Sequence, residues 1–227
     1  ALPISAEEKV AAERPLFLAP HDHIQIARIE EPGQIVGDRQ RFSHLSRNGV
    51  VEGDDVYELD GSPFKSYRRT ERRHRLAALK LLVPCLPSNF YCAGLNYAAH
   101  IEWANQRTGG NRKPPDKADI GYRSPNALIP AGEAIVIPAD SPGPVQFEGE
   151  LVAVIGKAAR NLSEAEALSC VLGYTLGNDV SERTWQKTDR TLWRAKNCDT
   201  FKPMGPFIVT ELDPMDLYNV RSMLNEE

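Results

Sequence analysis

The chain has 227 residues, of which 41% are hydrophobic and 26% are charged, and its formal net charge is −4. This balance is typical of a globular protein with a sizeable core, and the acidic net charge argues against nucleic acid as a partner. No apolar stretch approaches the ~20 residues that a membrane-spanning helix needs. The four cysteines are scattered without a C-x-x-C pair. We therefore expect reduced thiols, a cytoplasmic location and no membrane partner.

The first third of the chain is predicted to be a small, mostly antiparallel β module. Short β-like pieces begin at Ile24 and alternate with turn signals such as residues 48–49. Residues 1–83 would form this module with its linker, and residues 84–227 would form a larger domain. The basic stretch 65–80 is predicted to be a solvated helix face, and a phosphate or nucleic-acid patch is the alternative interpretation.

The segment around residue 100 contains a candidate catalytic histidine. A strand ending at Gly94 precedes His100, which is predicted to start a helix running through Trp103. Histidine is the commonest general base, although a lone histidine is more often a packed or surface residue. Residues 108–119 are rich in glycine, proline and lysine and predict a mobile loop that acts as a lid. Another strand is predicted over residues 135–138.

Three carboxylates lie beside apolar segments in the second half of the chain. Glu148 and Glu150 stand at the head of the strand-like run 151–155, and Asp179 follows a second apolar segment, 171–177. Residues two apart on a strand point to the same face, roughly 7 Å apart. Three oxygen donors without thiolate or imidazole suit Mg²⁺, Mn²⁺ or Ca²⁺ better than Zn²⁺. The alternative is that E-x-E is only an acidic strand edge.

Four groups of motifs follow one another along the chain. They are Gly94-Leu95-Asn96-Tyr97 with His100, Phe147-Glu148-Gly149-Glu150-Leu151, Asn178-Asp179-Val180-Ser181 with Arg183, and Lys196 with Pro203-Met204-Gly205-Pro206. In this order and spacing they resemble the fumarylacetoacetate hydrolase family. The resemblance implies an α+β fold that is mainly β, namely the family's mixed β-sheet roll with a small N-terminal β module. It also implies a homodimer.

The resemblance implies that His100 is the general base of the reaction. In related enzymes a glutamate three residues further on often partners this histidine, but that position holds Trp103, and Glu102 comes one residue early. In a regular helix a residue two positions on points ~200° away, so Glu102 should not replace the partner there. We expect a remote carboxylate or an irregular turn that brings Glu102 round to His100.

The resemblance also implies roles for basic and polar side chains. Lys196 would be a catalytic cation of the active site. Many relatives carry a lysine at the position of Arg123, where the forked guanidinium keeps the charge and suits a carboxylate. The candidate substrate-binding residues are Tyr122, Arg123, Arg183 and Gln186.

The implied function is divalent-metal-dependent hydrolysis of a C–C bond in a small acylpyruvate or β-diketo acid, as in aromatic catabolism. The same chelation would also support decarboxylation of a 2-oxo acid or enol–keto isomerisation. Family members usually continue well beyond the position of residue 227, so the chain is expected to be truncated or a reduced relative. A catalytically reduced metal-binding protein is therefore the alternative from another class.

Overall fold

The computed structural model describes residues 23–31 and 46–216, together with the backbone of 35–36 and 39–40. The first 22 residues of the predicted N-terminal module lie outside the described residues. The helices are α1 (Ala98–Thr108), α2 (Arg183–Gln186) and α3 (Trp193–Lys196). The strands are β1 (Gln25–Glu30), β2 (Ile35–Val36), β3 (Arg39–Gln40), β4 (Arg47–Glu52), β5 (Asp55–Gly61), β6 (Tyr67–Arg75), β7 (Lys80–Leu81), β8 (Tyr91–Gly94), β9 (Asp119–Tyr122), β10 (Leu128–Pro130), β11 (Val145–Gln146), β12 (Gly149–Ile155), β13 (Val171–Asn178), β14 (Ser181–Glu182) and β15 (Lys202–Val209).

A nine-stranded sheet organises the described part of the chain. Its strand order is β12-β13-β15-β1-β4-β5-β6, with β10 parallel to β15 and β7 beside β1. Strands β11 and β14, β8 and β9, and β2 and β3 form separate antiparallel pairs. The mainly β fold with few helices was predicted and is confirmed. Every helix in the described residues is too short or too polar to cross a membrane.

Strand β1 joins the early and late parts of the chain into one sheet. It pairs with β4 on one side and with β15 on the other, where Gln25 lies opposite Val209. Its side chains enter two separate apolar clusters: Ile26 packs with Val154 and Ile208, whereas Ile29 packs in the second cluster. A strand covered on both faces in this way is expected to be rich in β-branched residues.

The basic stretch 65–80 is a strand and not the predicted helix face. It forms β6, an edge strand paired with β5, followed by a short 3₁₀ turn at Leu76–Ala78. The arginines pair across the ladder with the acids of the neighbouring hairpin, as Arg68 does with Asp60 at 3.0 Å. Cross-strand pairs of opposite charge stabilise a sheet and neutralise the basic face.

Two smaller predictions were also wrong. Residues 48–49 lie within β4 rather than in a turn. A Cβ atom on Gly49 would come within 2.4 Å of the Val56 side chain, so the glycine permits close packing between strands. Residues 135–138 belong to no strand, and Val136 N donates instead to Thr200 Oγ1 at 2.7 Å. Ile135 and Ile137 pack against a buried cluster while Val136 is exposed, so the apolar run indicated contact with the core but not a ladder partner.

Candidate metal and substrate site

The sheet brings Glu148 and Asp179 together at the ends of two paired strands. Gly149 of β12 lies opposite Asn178 of β13, so the residues flanking this pair are neighbours. Asp179 N donates to Glu148 O at 2.9 Å, and Glu148 N donates to Asn178 Oδ1 at 2.9 Å. The first and third of the three predicted carboxylates therefore converge through backbone and side-chain hydrogen bonds.

Asp179 is buried among three cationic side chains. Arg123 donates from Nε to Oδ1 at 2.7 Å and from Nη2 to Oδ2 at 2.8 Å. Lys196 Nζ lies 2.7 Å from Oδ2, and Lys202 Nζ lies 3.0 Å from Oδ1. Burial by itself would raise the pKa of Asp179, but the hydrogen bonds from Arg123 and the charges of Lys202 and Lys196 hold it well below its usual range. This carboxylate is ionised throughout the physiological pH range.

Glu148 also contacts two cationic side chains, one of which it shares with Asp179. Lys196 Nζ donates to Glu148 Oε2 at 2.8 Å, so one ammonium bridges Glu148 and Asp179. Arg183 Nη1 lies 2.6 Å from Glu148 Oε1. The guanidinium is oriented by Gln146 and Gln186, whose Oε1 atoms accept its hydrogen bonds at 2.7 and 2.8 Å. Arg183 and Gln186 thus lie together on α2, as their spacing predicted.

Glu150 titrates differently from the other two carboxylates. Burial, together with the negative charges of Glu148 and Asp179, raises its pKa to about 7, although a hydrogen bond with Tyr97 opposes the shift. The Tyr97 hydroxyl also accepts from Leu151 N at 3.1 Å at the edge of β12. Tyr97, which immediately precedes α1, therefore anchors the start of this helix beside the acidic cluster.

The three carboxylates offer oxygen donors for a divalent cation, but in this structure Glu148 and Asp179 are held by ammonium and guanidinium groups. Within the described residues, a group of three ligand atoms lying within 4.8 Å of one another is found at Glu31, Glu58 and His74 instead. There the buried Glu58 carboxylate lies 2.6 Å from Arg47. Burial raises the pKa of Glu58, but the hydrogen bonds with His74 and Arg47 lower it by more than burial raises it. The negative charge of this carboxylate is therefore balanced by side chains, without a metal ion.

Sequence reasoning missed Lys202, which lies 3.0 Å from Asp179, compared with 2.7 Å for the predicted residues Arg123 and Lys196. Its side chain is only 2% exposed, and its ammonium also donates to the carbonyls of Val180 and Phe201 at 3.0 Å. Burial lowers its pKa to about 8 even though Asp179 acts in the opposite direction. A lysine at the head of the apolar strand β15 was the available signal, because a charged residue there must find a partner.

The predicted catalytic histidine lies on an exposed helix. The His100 ring stacks on Trp103, with ring centroids 5.7 Å apart. Glu102 accepts a long hydrogen bond of 3.5 Å from Gln106, one turn further along. The helix is regular here, so the irregular turn that would bring Glu102 to His100 is absent from the described α1. No described carboxylate hydrogen-bonds the His100 ring.

The predicted substrate-binding residues Tyr122 and Arg123 point to different surroundings. Tyr122 is 62% exposed and packs against the Tyr91 ring, with centroids 4.9 Å apart. Arg123 is only 7% exposed and contacts Asp179. Successive side chains on an extended segment face opposite ways, which explains the separation. Arg123 is therefore committed to the carboxylate in this structure.

The predicted lid, residues 108–119, is an exposed segment that connects α1 to β9. Helix α1 ends at Thr108 and is capped by Gly109, whose backbone adopts the left-handed conformation with φ 65°. The Asn105 side chain holds the loop at one point, since it exchanges two 2.8 Å hydrogen bonds with the backbone of Arg112. These two hydrogen bonds attach the loop to the helix that carries His100.

Comparison with known proteins agrees with this architecture. Residues 89–227 match the family model described as fumarylacetoacetate (FAA) hydrolase C-terminal. Residues 25–84 match the model described as Rv2993c-like, N-terminal.

The relatives that match the chain are not all named for the same activity. Protein Rv2993c of Mycobacterium tuberculosis is 43% identical over 159 residues, covering 70% of this chain and 57% of that protein. The mitochondrial oxaloacetate tautomerase Fahd2a of Rattus norvegicus is 32% identical over 136 residues, covering 60% of this chain and 41% of that protein. The crystal structure of 2-hydroxyhepta-2,4-diene-1,7-dioate isomerase from Mycobacterium marinum superimposes with a TM-score of 0.69 at 34% identity, covering 84% of this chain and 68% of that one.

The chain spans less than two thirds of the length of these curated relatives. The family match nevertheless covers more than half of the chain and includes the three carboxylates, Lys196 and Arg183. The resemblance carried by the motifs is thereby confirmed, and the chain belongs to the fumarylacetoacetate hydrolase family.

Proposed function

We propose that this chain is the metal-binding part of an enzyme that forms an enolate from a small 2-oxo or β-diketo acid. The observation that carries the proposal is the arrangement of Glu148 and Asp179 around the shared ammonium of Lys196, with Arg183 beside Glu148 and with Glu150 near enough for the charges of both acids to raise its pKa. Carboxylates for a hard cation and cationic side chains for an anionic substrate are the two requirements of this chemistry. The names of the relatives support the substrate class.

The donor set fits a divalent cation such as Mg²⁺, Mn²⁺ or Ca²⁺. The raised pKa of Glu150 reflects burial and the nearby charges of Glu148 and Asp179, which would be relieved by a cation among them. Lys196 bridges Glu148 and Asp179 at 2.8 and 2.7 Å, so a positive charge already lies between these carboxylates. Glu148, Glu150 and Asp179 would hold the ion. When bound, it supplies a Lewis acid for the 2-oxo group and an anchor for the substrate carboxylate.

The protein's own cations stabilise the negative charge that develops on the substrate. Lys196 is buried beside Glu148 and Asp179, and its ammonium becomes available to the substrate if its contacts with these acids loosen. Arg183 is oriented by Gln146 and Gln186 before substrate arrives. A donor that is already aligned needs no reorganisation during the reaction, which is the main source of its catalytic effect.

Of the three reactions that enolate chemistry allows here, we favour enol–keto isomerisation. The favouring observation is that His100 lies on an exposed helix face and stacks on Trp103 rather than bonding to a described carboxylate. Hydrolysis of a C–C bond needs an oriented general base to activate water, whereas isomerisation needs only proton transfer to and from the substrate. The tautomerase and isomerase names among the relatives support this order. C–C hydrolysis is the second candidate, and the family name favours it.

An absorbance assay on the full-length protein tests the proposal. After removal of metal with EDTA, enol-to-keto conversion of oxaloacetate should be slow, and Mg²⁺ or Mn²⁺ should restore it. Asp179→Asn should remove most of the restored rate, whereas Lys80→Gln on the exposed surface should not. Cleavage of an acylpyruvate into two acids would instead select the hydrolase. Turnover that is independent of divalent cations would contradict the metal centre.

A catalytically reduced metal-binding relative remains the proposal from another class. It predicts cation binding without turnover of oxaloacetate, acylpyruvates or 2-oxo acids by the full-length protein. We also propose the homodimer that the family resemblance implies. Sedimentation equilibrium should then give twice the mass of one chain, and the mass of one chain would contradict the dimer.

A further inference from the structure

The guanidinium of Arg123 closes one side of the Asp179 carboxylate completely. Nε and Nη2 donate two nearly equal hydrogen bonds, 2.7 Å to Oδ1 and 2.8 Å to Oδ2. In this fork-to-fork geometry the two parallel bonds occupy the lone pairs that face each other across the carboxylate. A metal ion bound by both oxygens of Asp179 would need the same lone pairs. Arg123 and a bidentate ion therefore exclude each other.

The fork is fixed in place by its backbone surroundings. Arg123 N donates to Phe90 O at 2.8 Å, and the next residue, Ser124, donates from N to Asn197 Oδ1 at 2.6 Å. The third guanidinium nitrogen, Nη1, donates to Tyr122 O at 3.0 Å. A Cβ atom on Gly121 would come within 2.9 Å of Nη1, so the glycine leaves the space that the guanidinium occupies.

The two remaining lone pairs of Asp179, one on each oxygen, face different cations. Lys202, buried behind the carboxylate, takes Oδ1 at 3.0 Å, so this oxygen already has two buried donors. Oδ2 faces Lys196, the ammonium that Asp179 shares with Glu148. A cation that displaces Lys196 therefore meets a single oxygen of Asp179.

We propose that Arg123 is a specificity-determining residue of this site, holding Asp179 to one-oxygen coordination so that the site selects Mg²⁺ or Mn²⁺ over Ca²⁺. The inference rests on the metal centre of the proposed function. Ca²⁺ takes about six to eight oxygen ligands and often binds both oxygens of a carboxylate, whereas Mg²⁺ takes about six in a tight octahedron. A lysine at position 123 would keep the charge but lose the fork.

Calorimetric titration of the EDTA-treated full-length protein with Mg²⁺ and with Ca²⁺ separates coordination from charge. The wild type should bind Mg²⁺ more tightly than Ca²⁺. In Arg123→Lys, the ratio of the Ca²⁺ to the Mg²⁺ dissociation constant should fall by about tenfold, the lower end of what partners of metal ligands contribute. The matched control is Lys202→Met, which removes a charge beside Asp179 but leaves the fork. It should shift both dissociation constants by a similar factor and leave their ratio within about twofold.

The outcomes distinguish this inference from the proposed function. If Arg123→Lys binds cations with the same ratio of Ca²⁺ to Mg²⁺ dissociation constants as the wild type, the role of Arg123 is overturned and the metal centre stands. Absence of binding by the wild type would overturn both. If Arg123→Lys does not fold, the wild type decides alone: tighter Mg²⁺ binding supports the inference, and tighter Ca²⁺ binding refutes it.

Discussion

At the scale of single residues, the site is governed by how each carboxylate is neutralised. Asp179 has three cationic contacts and Glu148 has two, whereas Glu150 is next to Tyr97 and two like charges. Carboxylates in one cluster can therefore have widely separated pKa values, which is typical of sites that move protons.

Glu150 should make the metal-free protein less stable as pH rises from about 4.5 to about 7. Its pKa in the folded state, about 7, lies above its ordinary value of 4.5, so in this window the folded state binds more protons than the unfolded state. Glutamine does not titrate, so Glu150→Gln removes this pH dependence. Its free energy of unfolding should increase relative to wild type between pH 5 and 7, measured by urea unfolding in EDTA. Glu166→Gln is the control, because the pKa of Glu166 is lowered and lies below the window. Parallel curves for wild type and Glu150→Gln would rule out the shift.

His100→Ala tests whether the exposed histidine takes part in the chemistry. If His100 is the general base, His100→Ala should lower kcat by about 10²-fold or more, the usual effect of losing such a group. The affinity for the cation should stay near wild type, because His100 contacts none of the three carboxylates in this structure. Glu102→Gln, assayed beside it, should leave kcat near wild type, since Glu102 contacts Gln106. Near-full turnover in His100→Ala would make the histidine structural, and a large loss in Glu102→Gln would place that carboxylate in the mechanism.

At the scale of elements, the contact between β13 and β15 sets the position of the site. Asp179 follows the end of β13, and Lys202 begins β15, so any shift between these strands separates the two charges. The strands approach closely at Gly173, where a Cβ atom would lie 2.3 Å from Val209 O.

Gly173→Ala should therefore destabilise the fold by about 1–3 kcal/mol, the usual range for overpacking, because the backbone of Val209 cannot move aside. Chemical denaturation monitored by tryptophan fluorescence measures the change. Gly110→Ala is the matched control, because Gly110 is exposed and its added Cβ would meet only the side chains of Thr108 and Asn105 in the last turn of α1. It should change the free energy of unfolding by less than about 0.5 kcal/mol. Equal effects in the two variants would contradict the packing argument.

At the scale of the whole molecule, one continuous sheet links the N-terminal strands to the site. Strand β1 is paired on both sides, and β15 connects it to β13 and hence to Asp179. Helix α1 and the loop 108–119 lie outside this sheet. Segments with few buried side chains open most readily, so movement on ligand binding is expected there rather than in the strands.

Loop 108–119 should become protected when a 2-oxo acid inhibitor binds. Hydrogen exchange of the full-length protein with Mg²⁺, in the presence and absence of oxalate, measures the protection of the loop amides. We expect slower exchange across the loop with oxalate, and little change in β4 or β5, which serve as an internal control. Equally strong protection in both states would argue against a lid.

The sequence by itself determined the mainly β fold, the strands at 151–155 and 171–177, and the three carboxylates with Lys196 and Arg183 as candidates. The two strands and the carboxylates follow from local patterns, because an apolar run beside an acidic pair can be read without knowing its neighbours. The overall fold and the roles of Lys196 and Arg183 were implied by the resemblance to the family. The stretch 65–80 was misread because its charges suit either a helix face or an edge strand, and only pairing with β5 decides between them.

Only the tertiary structure decided which charges meet. Arg123 and Lys202 are far from Asp179 in the chain. Arg123 directly follows β9 and Lys202 begins β15, and both side chains contact the carboxylate that follows β13. The tertiary structure also separated Tyr122 from Arg123 and left His100 stacked on Trp103. The physical reason is that electrostatic contacts depend on distances of a few ångströms between segments that are remote in sequence. Periodicity predicts which face of a segment is buried, but not what lies opposite it.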